Sequence, residues 1–241
     1  MIDVIVVNLN RSKETIQTIN ALFKANDNIR VILINNGSID RPCIESTNRI
    51  TVIDLKKNLG QAKAVNIGLR KVKTKYVCFM HNDIFIYDKN WINKAVKFLK
   101  KNKKAGLVDV YGWKMIDGKL HNITSMRGHN KVTRPSHDFE EVSRTDEMAN
   151  IFKNDGLRAD ERYLRPCCGV WVDILGRGQK LYVIRLEDAE HSLTNEINEG
   201  KGIAENRRDV RLLKLKEWGI TDPVAHHDPW NPKNKIIRSW E

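Results

Sequence analysis

Four apolar runs in the first third of the chain, IDVIVVN (2–8), RVILIN (30–35), ITVIDL (50–55) and KYVCFM (75–80), each give way to a short polar cluster. Asn8-Leu9-Asn10-Arg11 follows the first, Asn35-Asn36-Gly37-Ser38-Ile39-Asp40 the second, Lys57-Asn58-Leu59-Gly60 the third and His81-Asn82-Asp83 the fourth. Between runs the pattern becomes helical. Ser12 is placed to cap a helix with apolar positions Ile16, Ile19, Leu22 and Phe23, and a second helix over Leu59–Val72 turns Ala62, Val65 and Leu69 inward. Strand-length runs alternating with helical periodicity predict βαβ units and a parallel sheet. In such a sheet ligands bind beyond the carboxyl ends of the strands, where all four polar clusters fall. Any one of them is also ordinary turn chemistry; their succession is what points to a site.

Downstream, Asp88 is placed to cap a helix carrying Ile92, Ala95, Val96 and Leu99, and a strand is expected near Gly106–Trp113. From about 114 to 160 the sequence is polar and aperiodic and reads as a long loop. Order is expected to resume with CCGVWVDIL (167–175), read as strand packing, and LYVI (181–184). A helix is expected from RLEDAEHSLTNEI, with Leu186, Ala189, Leu193 and Ile197 on its apolar face and Gly200 as its stop. Another helical stretch near Asn206–Trp218 precedes an irregular tail, DPVAHHDPWNPKN.

The 241 residues suffice for one well-buried domain with extensions, and no apolar stretch approaches the roughly 18 residues of a membrane span. The N-terminus lacks the features of a secretory signal, so a cytoplasmic location is expected. Cys43, Cys78, Cys167 and Cys168 form no CxxC pair and read as reduced thiols. Lys and Arg total 42 against 30 Asp and Glu, and the net charge of +12 predicts attraction to anions: a nucleotide, an acidic glycan, nucleic acid or an anionic membrane surface met peripherally. The lysines of KFLKKNKK (97–104) also read simply as a solvated helix end. Because the basic residues are dispersed without interleaved aromatics, nucleic acid is not the expected partner, although a basic interaction module remains an alternative.

The motifs VVNLNRSKETIQTI, LINNGSID, NLGQAKAVNIGL and VCFMHNDIFI, in that order, with RLEDAEHSL later, resemble the family 2 glycosyltransferases of the GT-A fold. The resemblance covers residues 2–113 well and the remainder weakly. It implies an α/β fold with a Rossmann-like, mixed but mainly parallel sheet flanked by helices, a single domain with a C-terminal extension. Residues 1–113 would form its nucleotide-sugar-binding half, and 114–241 the acceptor-side and C-terminal part. The implied activity is metal-dependent, inverting transfer of a hexosyl or deoxyhexosyl group from a UDP-, GDP- or dTDP-sugar to a glycan, lipid-linked or protein acceptor, with Mn²⁺ or Mg²⁺.

On that resemblance the donor side comprises Asn8, Asn10, Asn36, Gly37, Ser38, Asp40, Asn58, Gly60, Lys63, Asn66, His81 and Asn82. Asn36 stands where the family carries an acid that reads the base; an amide both donates and accepts, so it can still meet a base edge. Lys63 meets a phosphate or is an exposed helix lysine. The family's acidic-x-acidic metal motif reads His81-Asn82-Asp83, which leaves Asp83 as the carboxylate for a hard cation. His226 and His227 of the tail are further metal candidates, or else a surface pair. Asp188 is implied as the general base, with Glu187 positioning it or the acceptor and His191 orienting its carboxylate; acids at a helix start also simply complement its dipole. Gly169 and Trp171 would line the acceptor side, or pack in the core.

The residues bear on two further readings. A nucleotidyltransferase would want a glycine-rich phosphate loop after the first strand, which NLNRSKET does not supply. A degenerate protein that binds donor without turnover fits the replacement of expected acids by amides and histidine.

Overall fold

The computed structural model describes residues 1–127, 132–146, 148–159 and 170–192. The chain divides into the units Met1–Asn195 and Glu196–Glu241, and the second lies outside the described residues.

The first elements follow the predicted alternation: β1 (Ile2–Asn8), α1 (Ser12–Ala25), β2 (Ile29–Asn35), β3 (Ile50–Asp54), α2 (Gln61–Leu69) and β4 (Tyr76–His81). Next come β5 (Ile84–Ile86), α3 (Trp91–Lys101), β6 (Ala105–Asp109), β7 (Tyr111–Ile116) and β8 (Lys119–Thr124). They are followed by β9 (Phe139–Val142), β10 (Arg144–Thr145), β11 (Ala149–Lys153), α4 (Val170–Gly176), β12 (Lys180–Ile184) and β13 (Ala189–His191).

An eight-stranded sheet runs β3-β2-β1-β4-β11-β6-β12-β9. The β1, β2, β3 and β4 pairings are parallel, as is β6 with β12; β11 is antiparallel to both β4 and β6, and β9 to β12. This is the mixed, mainly parallel sheet expected, and strands from both sides of residue 113 build it. Alternation along each strand sends successive side chains to opposite faces. Val4, Val6, Val31, Leu33, Cys78 and Met80 pack with Ile19, Leu22, Trp91 and Ile92 of α1 and α3. Ile5, Ile32, Ile34, Val77 and Phe79 pack with Ala62, Val65, Leu69, Val170 and Ile174 of α2 and α4.

Several local expectations need correction. The stretch 114–160 is not one long loop: β7 and β8 form a hairpin, and β9, β10 and β11 follow. Its turn is Asp117-Gly118, both at positive φ (48° and 73°), the backbone an Asp-Gly hairpin turn requires. The strand expected over Gly106–Trp113 is two strands, β6 and β7, serving different sheets. Val170–Gly176 is helical rather than a strand. Residues Arg185–Asp188 are not helical and lead into β13, so Leu186 and Ala189 lie on no helix face. Ser12 is the first helical residue of α1, not its cap. Asp88 does not cap α3: Asn90 holds that position in the left-handed conformation (φ 56°), without a side-chain cap bond. The Leu193–Gly200 part of the helix expected from RLEDAEHSLTNEI, and the helical stretch expected near Asn206–Trp218, lie outside the described residues.

Candidate functional site

The ends of β1, β2 and β4 are bound together by amides. Asn8 is fully buried. Its Nδ2 donates to Asn35 Oδ1 (3.1 Å), Ser38 Oγ (3.1 Å) and the Asp40 carbonyl (3.3 Å). Its Oδ1 accepts from Arg11 N–H (3.2 Å), Thr15 Oγ1 (2.9 Å) and Asn82 Nδ2 (3.4 Å). An Asn buried this completely must satisfy both ends of its amide, and here it fastens the first, second and fourth clusters to one point.

Around it, Asn10 takes positive φ (54°) and its Oδ1 accepts from the Ile39 (2.8 Å) and Asp40 (3.3 Å) amides. The Asp40 carboxylate accepts from Ser12 N–H (3.1 Å) and Ser12 Oγ (2.6 Å), which hold its carboxyl below the ordinary value and bring an anion to the start of α1. Gly37 sits at φ +70°, where a Cβ would meet the Lys57 carbonyl carbon at 2.2 Å, so the second and third clusters touch backbone to backbone. Asn36 Nδ2 donates to Asn58 Oδ1 (3.0 Å), and its Oδ1 accepts the Leu59 amide (3.0 Å). Gly60 (φ +82°) precedes α2, and a Cβ there would meet nothing within 4 Å.

Asp83 follows the end of β4 and is buried to 7% exposure. Arg11 Nη1 approaches its Oδ2 at 2.9 Å and His191 Nε2 the same oxygen at 3.5 Å. Burial raises its carboxyl, but His191, His81 and Arg11 outweigh that and hold it well below the usual carboxylate range. Its Oδ1 is buried and accepts no hydrogen bond among the described residues. His81 Nε2 lies 3.1 Å from Gln61 Nε2, and its ring meets Phe79 edge-on. Among the described residues no group of three or more His, Cys, Asp or Glu is placed to hold a metal. A single carboxylate oxygen with unused lone pairs nevertheless fits one position of a Mg²⁺ or Mn²⁺ shell, since such ions commonly take one or two carboxylates together with substrate phosphates.

A two-stranded ladder runs from Asp83 to the acidic pair. Ser192 N–H donates to the Asp83 carbonyl (2.9 Å), β5 pairs antiparallel with β13 through Ile84↔His191, Phe85↔Glu190 and Ile86↔Ala189, and Tyr87 N–H donates to the Asp188 carbonyl (2.8 Å). At the far end Arg127 Nη2 lies 2.7 Å from Asp188 Oδ1 and 3.7 Å from Glu190 Oε2, while Arg134 and Arg185 flank Glu187 at 3.4 and 3.2 Å. Burial, together with the Glu190 and Asp188 carboxylates, raises the Tyr87 phenol above its ordinary value.

The sequence profile of glycosyl transferase family 2 matches residues 3–155 of the 241. The chain belongs to that family. Its Asp83 end lies within the matched span and its Asp188 end beyond it. The chain is 25% identical over 122 residues to an uncharacterized glycosyltransferase of Rickettsia prowazekii (strain Madrid E), covering 49% of this chain and 38% of the relative. It is 32% identical over 109 residues to an uncharacterized glycosyltransferase of Haemophilus influenzae, covering 42% and 33%. The chain thus spans well under two thirds of these relatives' lengths. Its fold is similar to TarS 1–349 of S. aureus (TM-score 0.54, 15% identity, 82% of this chain and 62% of that one). It is also similar to mannosyltransferase PcManGT of Pyrobaculum calidifontis, solved with GDP-Man and Mn²⁺ (TM-score 0.56, 13% identity, 79% and 56%).

In this family 2 chain the structure gathers Asn8, Asn10, Asn36, Gly37, Ser38, Asp40, Asn58, Gly60, His81, Asn82 and Asp83 at neighbouring strand ends. Asn66 lies elsewhere: its Nδ2 donates to the Ala159 carbonyl (2.9 Å) and its Oδ1 accepts the Ala159 amide (2.8 Å), so it ties α2 to the segment before residue 160. Lys63 is exposed on α2. His191 turns to Asp83 rather than to Asp188, because the chain between them runs extended through β13 instead of making one helical turn. Trp171 falls in α4, and Gly169, His226 and His227 lie outside the described residues.

Arg11, Asp88 and Arg127 were not recognised as site residues in the sequence. Arg11 stood in the first cluster, beside a strand end already singled out. Asp88 looked like a helix cap, and Arg127 belonged to the stretch read as loop, where no periodicity marks it.

Proposed function

We propose that this chain is the catalytic part of an inverting glycosyltransferase that moves a hexosyl or deoxyhexosyl group from a UDP-, GDP- or dTDP-sugar to an acceptor hydroxyl of a glycan, lipid-linked or protein acceptor. The observation that carries this reading is the ladder joining Asp83 to Asp188. Tyr87 is four residues beyond Asp83 (87 − 83) and pairs with Asp188, which sets the two acids about 13 Å apart along the strand. A donor's diphosphate and sugar, followed by an attacking hydroxyl, fit such a span.

The amide-bound loops after β1, β2 and β3 cradle the nucleoside, and Asn36 fixes that cradle through Asn58 Oδ1, the Gly60 carbonyl and the Leu59 amide. Asp83 would hold Mn²⁺ or Mg²⁺ through Oδ1. When bound, that cation offsets the charge growing on the leaving diphosphate. Asp188 accepts the proton of the attacking hydroxyl from the face opposite the leaving group. Arg127 fixes one oxygen of Asp188, leaving the other for the acceptor, and Glu187 beside it positions the acceptor. The net charge of +12 supports peripheral attraction to anionic surfaces, which co-sedimentation with anionic vesicles at low and high salt measures.

Release of nucleoside diphosphate from UDP-, GDP- and dTDP-sugars with Mn²⁺ tests the reading. Asp188→Asn should cut turnover to a small residual rate while donor-induced thermal stabilisation survives; near-normal turnover in that variant removes Asp188 as base. One observation favours donor binding without turnover as a second reading: Asp188 is already paired with a cation, at 2.7 Å. Wild-type protein that binds a donor in the melting assay but releases no diphosphate, with every acceptor class present, supports it.

A further inference from the structure

Asp88 carries out no capping of the helix it precedes, and its carboxylate faces another part of the chain. Its Oδ1 accepts the Glu187 amide at 2.9 Å and its Oδ2 the Asp188 amide at 2.7 Å, across about a hundred residues of sequence. We propose that Asp88 is a positioning residue for the acidic pair, a carboxylate clamp that sets where the general base stands relative to the donor. This rests on the reading of Asp188 as that base.

Three observations carry it. First, the bonds are charge-assisted and use both oxygens on consecutive amides. Hydrogen bonds to an ionised carboxylate are roughly twice as strong as neutral ones, and two of them fix direction as well as distance. Second, contacts of their own side chains hold the two acids only weakly. The side chains of Glu187 and Asp188 are 66% and 50% exposed, and their ion pairs to Arg134, Arg185 and Arg127 join groups that are themselves about half exposed. Exposed pairs of that kind confine a side chain weakly, so the place of these acids is set by their backbone. Third, Asp88 ends the same segment that begins at Asp83. Backbone ladder bonds fix the intervening residues, and the clamp extends that order past the last of them, the Tyr87 to Asp188 bond at 2.8 Å. One stretch of chain therefore carries the candidate metal ligand at one end and the holder of the base at the other.

Removing the clamp should move the base without moving the donor. A displacement near 1 Å of a reacting group costs on the order of a hundredfold in rate. Asp88→Ala should lower kcat for nucleoside diphosphate release by roughly 10- to 100-fold with donor KM unchanged. Asp88→Asn keeps the shape and one acceptor oxygen and should fall less. In the Asp188→Asn background neither substitution should lower the residual rate further, because Asp88 acts through Asp188. Independently of turnover, hydrogen exchange of the Glu187 and Asp188 amides should quicken in Asp88→Asn while β1 and β4 amides stay protected.

The proposal is overturned by any of three results: unchanged exchange at Glu187 and Asp188; unchanged kcat; or the same fold loss in the Asp188→Asn background as in wild type. A wild-type protein that turns over no UDP-, GDP- or dTDP-sugar counts against glycosyl transfer itself, whereas the exchange measurement still decides whether the clamp exists. Should Asp88→Ala fail to fold, Asp88→Asn carries both measurements.

Discussion

The Arg11 guanidinium reaches across 72 residues to Asp83, with Nη1 2.9 Å from Oδ2. It also meets Glu14 at 3.2 Å, one turn along α1. The cluster after the first strand thereby compensates the buried carboxylate delivered by the fourth, and both belong to one electrostatic unit.

Removing Arg11 leaves Asp83 buried with only histidines near it. Arg11→Ala should destabilise the fold by ~1–3 kcal/mol, the cost of leaving a buried acceptor short of its partner, read as a lower urea midpoint with an unchanged slope. A midpoint equal to wild type would mean solvent already serves that carboxylate.

The sign of the pH dependence follows from Asp83 itself. Its folded value is depressed, so its ionised form stabilises the fold above the unfolded value, about 4, and that contribution is lost as pH falls below it towards the folded value. Asp83→Asn does not titrate. Measured with a chelator present, it should be less stable than wild type at about pH 7, and the gap should close as pH drops through about 4 and below. A gap constant across that window would contradict the depressed value.

Metal binding is checked by calorimetry. With a nucleotide-sugar that raises the melting temperature, wild type should bind Mn²⁺ more tightly than Asp83→Ala by at least tenfold, or about 1.4 kcal/mol. Equal affinity removes Asp83 from the metal.

Gly37→Ala should be severe for its size. The left-handed backbone alone costs a non-glycine residue ~1–2 kcal/mol, and the added Cβ would stand 2.2 Å from the Lys57 backbone. The two loops must separate, so the melting temperature and nucleotide affinity should both fall; a fall in neither would show that the loops part freely.

Asn66→Ala offers the opposite pattern. It strands a carbonyl and an amide of Ala159, at ~1–3 kcal/mol each if they stay dry, and should lower stability in urea while donor affinity holds. Lost donor affinity at unchanged stability would return Asn66 to the donor side.

Much of the sheet was legible because each of its first strands carries its own apolar run, and because β1, β2 and β4 are buried on both faces. The polar strand ends were legible for the same reason: they are local. What escaped was non-local. β11 (ANIFK) is five residues with no alternation, and becomes a strand because β4 and β6 leave a slot between them. Asp117-Gly118 carries a hairpin signal of its own, set among polar neighbours that mask it. The acidic pair looked like a helix start because acids favour that position, yet pairing with β5 won over the helical spacing of Leu186 and Ala189. Asp88 shows the same ambiguity: an acid just before a helix is a good cap in isolation, and only the arrival of residues 187 and 188 gives its carboxylate a better use.

The insertion of β11 between β4 and β6 has a further consequence for how this protein can be divided. β4 pairs with β1 along one edge and waits for residues 149–153 along the other. A chain cut after Trp113 would carry every strand-end cluster after β1 to β4, yet would present Val77–Met80, fully buried in the whole chain, as an open edge. Such an edge is a template for pairing with another copy. Residues 1–113 are therefore not a module that can be lent to another protein: their sheet is completed by a strand that the chain supplies only later, at residues 149–153.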